Sequence, residues 1–355
     1  MHINNSKNLR FAYAPISRDF ASPGDRRRFC FWAKERGIKY ESADPSVDYD
    51  VIILSLMSDL SQWKRYTKRG RIIFDFADPY LFVSKANFKD RMRGLAKFIF
   101  GQNKYLHLDY KKLLIDVCKK ADAVICSSSE QQNEIKKYCS KTVVILDDFS
   151  ELGEKKKVNY ETDKSFKFFW EGMGINLDSF LCIRHALETI GYRYKISIHL
   201  VTDIEYFRYM RKIGRKACKR TIEKTFGLKD VYLYEWNSHM LASIATSCDA
   251  ALIPMPLGNQ YLKHKSANKL LLCWRMGLPT ITSATPAYER EMKEAGLNFT
   301  CNTQNDWISM LEKIITDQEL REKTGKKGYD YVESNYSKQS LLEKWDDIIY
   351  SVLEK

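Results

Sequence analysis

Short, continuous apolar runs separated by helix-length segments constrain this chain most. DVIILS (50–55), RIIFDF (71–76), AVIC (123–126) and AALI (250–253) show little alternation of apolar and polar residues. A strand with one wet face alternates, whereas a strand buried on both faces does not. Burial on both faces needs helices above and below the sheet. The runs therefore predict repeated β-α-β units with parallel strands.

The pattern occurs twice. In the first half, strands are expected over 9–14, 50–55, 71–76, 123–126 and 143–146, with helices over 26–36, near 60–68 and over 108–120. The stretch 147–165 is polar, charged and almost free of aliphatic residues, which reads as a linker. Strands are expected again over 166–170, 195–201, 231–236, 250–253 and 279–282, with a helix over 177–190 and a basic helix after 201. From about Gln304 the chain reads as helical, and Trp345, Ile348, Ile349 and Val352 share one apolar face. The fold class is α/β, with two Rossmann-like doubly wound domains and a central cleft. The expected boundaries are 1–150 for the first domain, 151–165 for the linker, 166–335 for the second domain and 336–355 for a helix packing back on the first. Ligands of such sheets sit at the carboxyl ends of the strands.

Composition narrows the function classes. The chain has 355 residues, enough for two full cores, and no apolar run of membrane-span length. No secretory apolar region follows Met1, so a cytoplasmic protein is expected. The nine cysteines are scattered without a CxxC pair, which suits core packing in a reducing compartment. The six histidines lack ligand spacing with Cys or Asp/Glu, so no metal is expected. Asp48-Tyr49-Asp50 has a metal-like spacing but precedes its strand, at the wrong end of the sheet, and Asp147-Asp148 falls at the linker. A net charge of +13 implies anionic partners. The stretch 85–112 is basic with Phe88, Met92, Leu95, Phe98, Ile99 and Phe100 interleaved. It reads either as a solvated helix face or as a peripheral contact with anionic membrane at its inner face. The stretch 208–224 reads as a solvated helix face. No nucleic-acid-binding module is present.

Residues 248–289 carry the densest signal. Strand 250–253 runs into a polar loop and then a helix expected to open with His264, Lys265, Ser266, Asn268 and Lys269 and to stop at Gly277. A helix N-terminus bearing cations is an anion site; lysines there are otherwise solvent-facing, and a lone His is otherwise structural. Gly172 and Gly174, followed by Asn176, sit at a strand end where backbone can approach a ligand, or simply turn. Trp236 and Asn237 follow another strand, Trp236 as a base contact or as core, and Asn237 or Ser238 as a helix cap. Thr285 is the expected N-cap with Pro286 at N1, and Glu289 follows as a ribose contact or a solvated side chain. In the first domain, Ser17, Gly24, Asp25 and Arg26 lie on the first strand-to-helix loop. A carboxylate of Asp75-Phe76-Ala77-Asp78-Pro79-Tyr80, Asp78 first, is a candidate general base; otherwise Asp78 is a turn residue before Pro79 and Asp75 is structural.

The segments ADAVICSSSEQQNEI (121–135), FFWEG (168–172), CDAALIPM (248–255) and SANKLLLCWRMGLPTITS (266–283) together resemble GT-B glycosyltransferases of the large family-4 type. The resemblance spans most of the chain. It implies a nucleotide-sugar donor as substrate, bound by the second domain through Gly172, Gly174, Asn176, Trp236, Asn237, His264, Lys265, Asn268, Lys269, Thr285 and Glu289. It implies an acceptor hydroxyl on a glycan or lipid, met by Ser17, Gly24, Asp25 and Arg26, with Asp78 and Lys269 catalytic. No cofactor and no metal are implied, and bacterial surface polysaccharide assembly is the expected setting. The chain departs from the family pattern at its glutamate pair. His264 and Leu272 stand at those two positions, and the family lysine after the first glycine-rich strand has no match. Two other readings remain open: a sugar-nucleotide epimerase, and a catalytically degenerate GT-B domain serving as a glycan-binding or assembly partner.

Overall fold

The computed structural model describes residues 9–83, 94–95, 98–101, 103–152, 155–209, 213–226 and 230–354. Much of the basic stretch 85–112, namely 85–93, 96, 97 and 102, lies outside the described residues. The chain divides into two compact units. One comprises the described residues of Met1–Asp148, His264–Ser266 and Lys338–Lys355; the other comprises those of Phe149–Lys263 and Ala267–Ser337.

The first unit is built on a six-stranded sheet in the order β2-β1-β3-β4-β5-β6. The strands are β1 (Phe11–Ala14), β2 (Tyr40–Ser42), β3 (Val51–Ser55), β4 (Arg71–Phe76), β5 (Ala123–Cys126) and β6 (Thr142–Val144). Every pairing is parallel. The continuous runs are buried throughout β1, β3 and β5. Alternate residues of these strands enter different cores. Ala12, Ile52, Leu54, Phe74, Phe76 and Val124 pack with helices Leu60–Trp63 and Tyr110–Lys120. Phe11, Tyr13, Val51, Ile53, Ile73 and Ile125 pack with Phe29–Arg36 and with the C-terminal helix Lys338–Leu353. The sheet is doubly wound, and the apolar face expected for the last helix is used: Trp345, Ile348, Ile349 and Val352 are all buried.

The expected helix over 26–36 is two helices, Pro23–Arg26 and Phe29–Arg36. The break falls at Arg28 (φ −126°, ψ −113°), whose side chain turns into the interior. The helix near 60–68 stops at Trp63, and the next residues form hydrogen-bonded turns.

The second unit repeats the plan, in the order β11-β8-β7-β12-β13-β14. Its strands are β7 (Phe166–Glu171), β8 (Ile196–Thr202), β11 (Val231–Glu235), β12 (Ala250–Ile253), β13 (Thr280–Ser283) and β14 (Thr300–Cys301), all paired in parallel. The expected basic helix after 201 is corrected. The chain there forms an antiparallel pair, β9 (Glu205–Tyr209) with β10 (Ile213–Ala217), before a short helix Cys218–Thr225. The expected helix 177–190 is a 3-10 segment Gly174–Ile183 followed by an α-helix Arg184–Arg193. All nine cysteines are free, and seven are buried. No helix among the described residues is long and apolar enough to cross a membrane.

Part of the stretch read as linker is embedded in this unit. Tyr160 is 4% exposed and donates its hydroxyl to Gly277 O at 2.9 Å, and Arg321 donates to Tyr160 O. Lys157 N donates to Met276 O at 2.9 Å. Gly277 is left-handed (φ +68°), and a Cβ there would stand 3.2 Å from Lys157 O and 3.3 Å from the Tyr160 hydroxyl. Left-handed backbone costs an L-residue about 1–2 kcal/mol. Gly277→Ala is therefore expected to lower the unfolding free energy by at least about 1 kcal/mol, read from urea unfolding of the purified chain; unchanged stability would contradict this packing.

Candidate functional site

Strand β7 pairs with β8 on one side and β12 on the other. The chain therefore leaves β7 toward one edge of the sheet and later returns to the opposite side. Such a switch point opens a crevice at the carboxyl ends of the two central strands. Gly172 ends β7 there, and the helix Asn268–Arg275 follows β12.

Lys269 joins these two elements. Its Nζ donates to Glu171 O at 2.7 Å and lies 4.6 Å from the centroid of the Trp170 ring. It occupies the space a side chain at residue 172 would need: a Cβ on Gly172 would stand 2.3 Å from Lys269 Nζ and 2.9 Å from the Trp170 ring. A side chain at residue 172 would displace the ammonium and press on the Trp170 ring. Asn268 opens the same helix, and its N-cap residue Ala267 offers no capping side chain. The expected helix start is corrected: His264–Ser266 fall between the helices Gln260–Lys263 and Asn268–Arg275.

The neighbouring strand ends are ordered by side-chain oxygens. Ser283 Oγ, at the end of β13, accepts from Met255 N at 2.8 Å, just after β12. Thr285 caps helix Pro286–Glu294, its Oγ1 accepting from Tyr288 N, with Pro286 at N1 as expected. Glu289 is exposed on the first turn of that helix. Leu272, at a position where the resembled family carries glutamate, is 3% exposed and belongs to the packed face Leu270–Trp274.

Other expected donor residues stand apart from Lys269 in their contacts. Gly174 is a close-packing position, where a Cβ would stand 2.4 Å from Cys218 Sγ. Asn176 lies half-buried in the 3-10 segment, its N–H donating to Met173 O at 2.9 Å. Trp236 lines a cavity of about 290 Å³ with Asp203, Ile204, Glu205 and Glu235. Asn237 caps helix Ser238–Thr246, its side chain accepting from His239 N at 2.9 Å.

In the first unit, the loop after β1 is built around Asp25. This carboxylate is 0% exposed and accepts from the Tyr13 hydroxyl at 2.6 Å, Ile16 N at 2.8 Å, and Ser17 N and Oγ at 3.0 Å each. Ser17 Oγ also accepts from Ser22 N at 2.9 Å. Asp25 and Ser17 thus organise the loop itself. Burial and then Asp25 push the Tyr13 hydroxyl well above the usual tyrosine range. Gly24 packs on Ile16, and Arg26 Nε donates to Ala21 O at 2.9 Å.

Asp75 and Asp78 follow each other at the end of β4 but have different surroundings. Asp75 is 3% exposed and receives Arg28 through Nε at 2.8 Å and Nη2 at 2.6 Å. Arg28 Nη1 also reaches Asp147 Oδ1 and Ile145 O, each at 3.0 Å. Burial alone would lower the Arg28 pKa, but the two carboxylates outweigh it and hold the guanidinium above its ordinary value. Burial pushes Asp75 upward, with Arg28 opposing. Asp75 is thus held by Arg28 inside the unit, which fits its structural reading.

Asp78 is more open. Its Oδ1 lies 3.4 Å from Lys265 Nζ. Its carbonyl accepts from Gln131 Nε2 at 3.1 Å, and the same amide holds Phe76 O at 2.7 Å. His264 stacks on Phe82 with centroids 3.8 Å apart and planes 3° from parallel. The structure therefore places His264 and Lys265 with Phe82 and Asp78, while Asn268 and Lys269 belong to the second unit. Sequence reasoning missed Arg28, Gln131 and Trp170. Arg28 sits in an Arg-Arg-Arg run that reads as surface, and only the acid within RIIFDF hinted at a buried cation. Among the described residues, no group of three or more His, Cys, Asp or Glu is placed to hold a metal ion.

No protein-family model and no curated protein matches the sequence. Solved structures do match. A glycosyltransferase from Rickettsia africae ESF-5 superposes with a TM-score of 0.60 at 10% identity, over 98% of this chain and 100% of that one. TarM matches with a TM-score of 0.57 at 13% identity, over 84% of this chain. The match spans only 54% of TarM, about half its length. An E. coli structure described as trehalose-6-phosphate bound with UDP-2-fluoro glucose matches with a TM-score of 0.54 at 14% identity, over 88% of this chain and 75% of that one. These likenesses show the fold: two Rossmann-like α/β domains of the GT-B type.

The Arg28–Asp75–Asp147 cluster makes a stability prediction. Removing Asp75 leaves the buried Arg28 guanidinium with only Asp147 and Ile145 O, at a cost up to the about 3–5 kcal/mol of breaking a buried pair. Asp75→Ala is expected to lose that much in denaturant unfolding, and the double variant Arg28→Met/Asp75→Leu to recover most of it. A single variant as stable as the parent would show that the pair does not hold the strand ends.

Proposed function

We propose that this chain is a glycosyltransferase that moves a sugar from a nucleotide-diphosphate sugar to a hydroxyl of a glycan or lipid-linked acceptor. The observation that carries the reading is the placement of Lys269. A cation is pinned at the carboxyl end of β7, in the space left by Gly172, on the first turn of a helix following β12. That is where a diphosphate is met in an open parallel sheet. The folds that match are those of glycosyltransferases, and the E. coli structure holds a UDP-sugar analogue.

In this reading the acceptor oxygen attacks the anomeric carbon while the bond from that carbon to the diphosphate breaks. Negative charge grows on the leaving phosphate. Lys269 and the N-terminus of helix 268–275 stabilise it, a preorganised electrostatic effect worth several powers of ten in rate. The acceptor proton goes to a base, and Asp78 is the candidate in the first unit. Lysine and helix dipole supply the positive charge, so we propose a metal-independent reaction. Gly174, Asn176, Trp236, Asn237, Thr285 and Glu289 remain proposed donor contacts, with Trp236 on the base side. His264 and Lys265 are proposed phosphate or sugar contacts, and the loop with Ser17, Gly24, Asp25 and Arg26 is the proposed acceptor side, shaped by Asp25 rather than lined by it. A cytoplasmic enzyme of surface polysaccharide assembly is the setting that fits.

A second reading is a catalytically degenerate GT-B domain that serves as a glycan-binding or assembly partner. The burial of Leu272 favours it, since the helix offers no carboxylate at that position.

Release of nucleoside diphosphate from a panel of nucleotide sugars separates the two. Lys269→Ala is expected to cut turnover about 100-fold or more with the thermal melt unchanged, and Gly172→Ala to cut turnover by displacing the ammonium, with some loss of stability from crowding the Trp170 ring. Wild-type turnover in both variants would remove this site from the reaction. Ligand-induced stabilisation with no turnover in the parent would favour the second reading.

A further inference from the structure

Strands β4 and β5 pair in parallel, with Phe76 beside Cys126, so the chain leaves both at neighbouring points of one sheet edge. One side chain ties the two exits together. Gln131, 0% exposed, lies on the short helix Ser129–Ile135 that follows β5. Its Oε1 accepts from Ser127 N at 2.8 Å and from Ser127 Oγ at 2.9 Å. Its Nε2 donates to Phe76 O at 2.7 Å and to Asp78 O at 3.1 Å. A glutamine amide offers two donors and two acceptor sites, and all four are used. The network also fixes the amide's orientation. A flipped amide would set its oxygen against two carbonyls and its nitrogen against the Ser127 N–H.

A buried amide is costly unless it is fully paired, so a position that only fills space takes an apolar side chain. The bond to Phe76 O, at the end of β4, closes a strand end. The bond to Asp78 O does more, because it holds the backbone of an acid whose carboxylate is open. Asp78 keeps 40% side-chain exposure, and its Oδ1 lies 3.4 Å from Lys265 Nζ. The acid is therefore met at both ends, by a buried amide on its carbonyl and by a lysine on its carboxylate. The same loop reaches the residue before that lysine: Ser128 Oγ donates to His264 O at 3.5 Å. Ser128 also caps the helix, its Oγ accepting from Gln131 N at 3.2 Å. Ser127, Ser128 and Gln131 thus brace both members of the Asp78–Lys265 pair from one loop.

A general base acts only within hydrogen-bond reach of the proton it removes. A displacement of about 1 Å is enough to cost about 100-fold in rate. A half-open aspartate on a loop has little packing to hold it, so its placement has to come from its backbone. Gln131 supplies that restraint from a buried position, out of reach of any substrate.

We propose that Gln131 is a positioning residue for the transfer step. Its amide fixes the backbone of Asp78 and so keeps the Asp78 carboxylate where it takes the proton of the acceptor hydroxyl. As that O–H bond breaks, the acceptor oxygen bonds to the anomeric carbon. The bond from that carbon to the phosphate oxygen breaks, and its electron pair leaves with the diphosphate. The inference rests on the transferase reading with Asp78 as base. It adds a residue that touches neither donor nor acceptor.

Release of nucleoside diphosphate from UDP-glucose, UDP-N-acetylglucosamine and GDP-mannose by the full chain, with water as acceptor, tests the proposal. Gln131→Met keeps the side chain's bulk and removes all four bonds. It is expected to lower kcat about 100-fold and to leave the donor KM unchanged. Asp78→Ala is expected to lose about 100-fold. In that background Gln131→Met is expected to add no further loss, because a residue that acts through another is not additive with it. Gln131→Glu decides the matter if the methionine variant fails to fold. Its carboxylate still accepts from Ser127 but donates to Phe76 O or Asp78 O only when protonated. Burial and the two carbonyl oxygens raise its pKa; Asp78 and the adjacent Glu130 act the same way, and Lys265 opposes them. Turnover of this variant relative to the parent is therefore expected to rise as pH falls from about 8 to about 6, measured below both melting temperatures. The proposal is overturned by parental kcat in either variant at about pH 8, by a change in KM alone, by equal losses with and without Asp78, or by a Gln131→Glu ratio that ignores pH. Parental turnover in Asp78→Ala also overturns it and leaves the transferase reading standing. A parent that releases no nucleoside diphosphate removes the transferase reading, and this inference with it.

Discussion

Parallel strand pairing is the constraint on which the rest of this structure depends. In each six-stranded sheet every neighbour runs the same way, so each connection must cross a face of the sheet. Crossing chain covers both faces, which is why β1, β3, β5 and β12 are apolar without alternation. The same geometry gathers the loops that leave the strands along one edge. Gly172, Ser283 and Thr285 in one unit, and Asp25, Asp75 and Asp78 in the other, all stand at or just beyond strand ends of this kind. Their spacing along the sequence is wide; their grouping is a product of the sheet.

Charges at these edges are handled in two ways. Asp25, Asp75 and Arg28 are buried, and their hydrogen bonds go to protein groups: Asp25 to a loop and Tyr13, Arg28 to Asp75, Asp147 and Ile145 O. A buried charge satisfied by protein groups shapes its surroundings. Lys265 and Asp78 keep 27% and 40% side-chain exposure and stand 3.4 Å apart, close enough to attract and open enough to exchange partners. The buried group fixes where the loops run, and the open pair stays reachable from solvent.

The sheets were legible in the sequence because their strands are short, apolar and bounded by glycine, proline or acid. β4, β5 and β12 coincide with the runs RIIFDF, AVIC and AALI. The caps at Asn237 and Thr285 were legible because a polar side chain before a helix has few other local uses. Edge strand β2 was not, since Tyr40–Ser42 is only half-buried to exposed and carries no apolar run. Nor was the β9–β10 hairpin, whose basic residues satisfy a helix pattern as readily as a strand pattern. The break at Arg28 depends on a partner 47 residues away, which no local pattern records. The helix opening near 264 was misjudged for a similar reason: His264 stacks on Phe82, a contact invisible along the chain.

Lys269 shows how local preference and placement can disagree at one residue. A cation on the first turn of a helix opposes the helix dipole, a cost of about 0.3–1 kcal/mol. The structure offsets it with a hydrogen bond to Glu171 O and with the face of Trp170. A side chain at residue 172 would push the ammonium out of this place. Three residues, Trp170, Glu171 and Gly172, are therefore arranged around an ammonium that the helix by itself disfavours. Leu272, three residues on, has the opposite character: it follows the helix pattern and joins the core. A position that obeys its local rules needs only packing to explain it. A position held against them by its neighbours is where the proposed diphosphate contact rests.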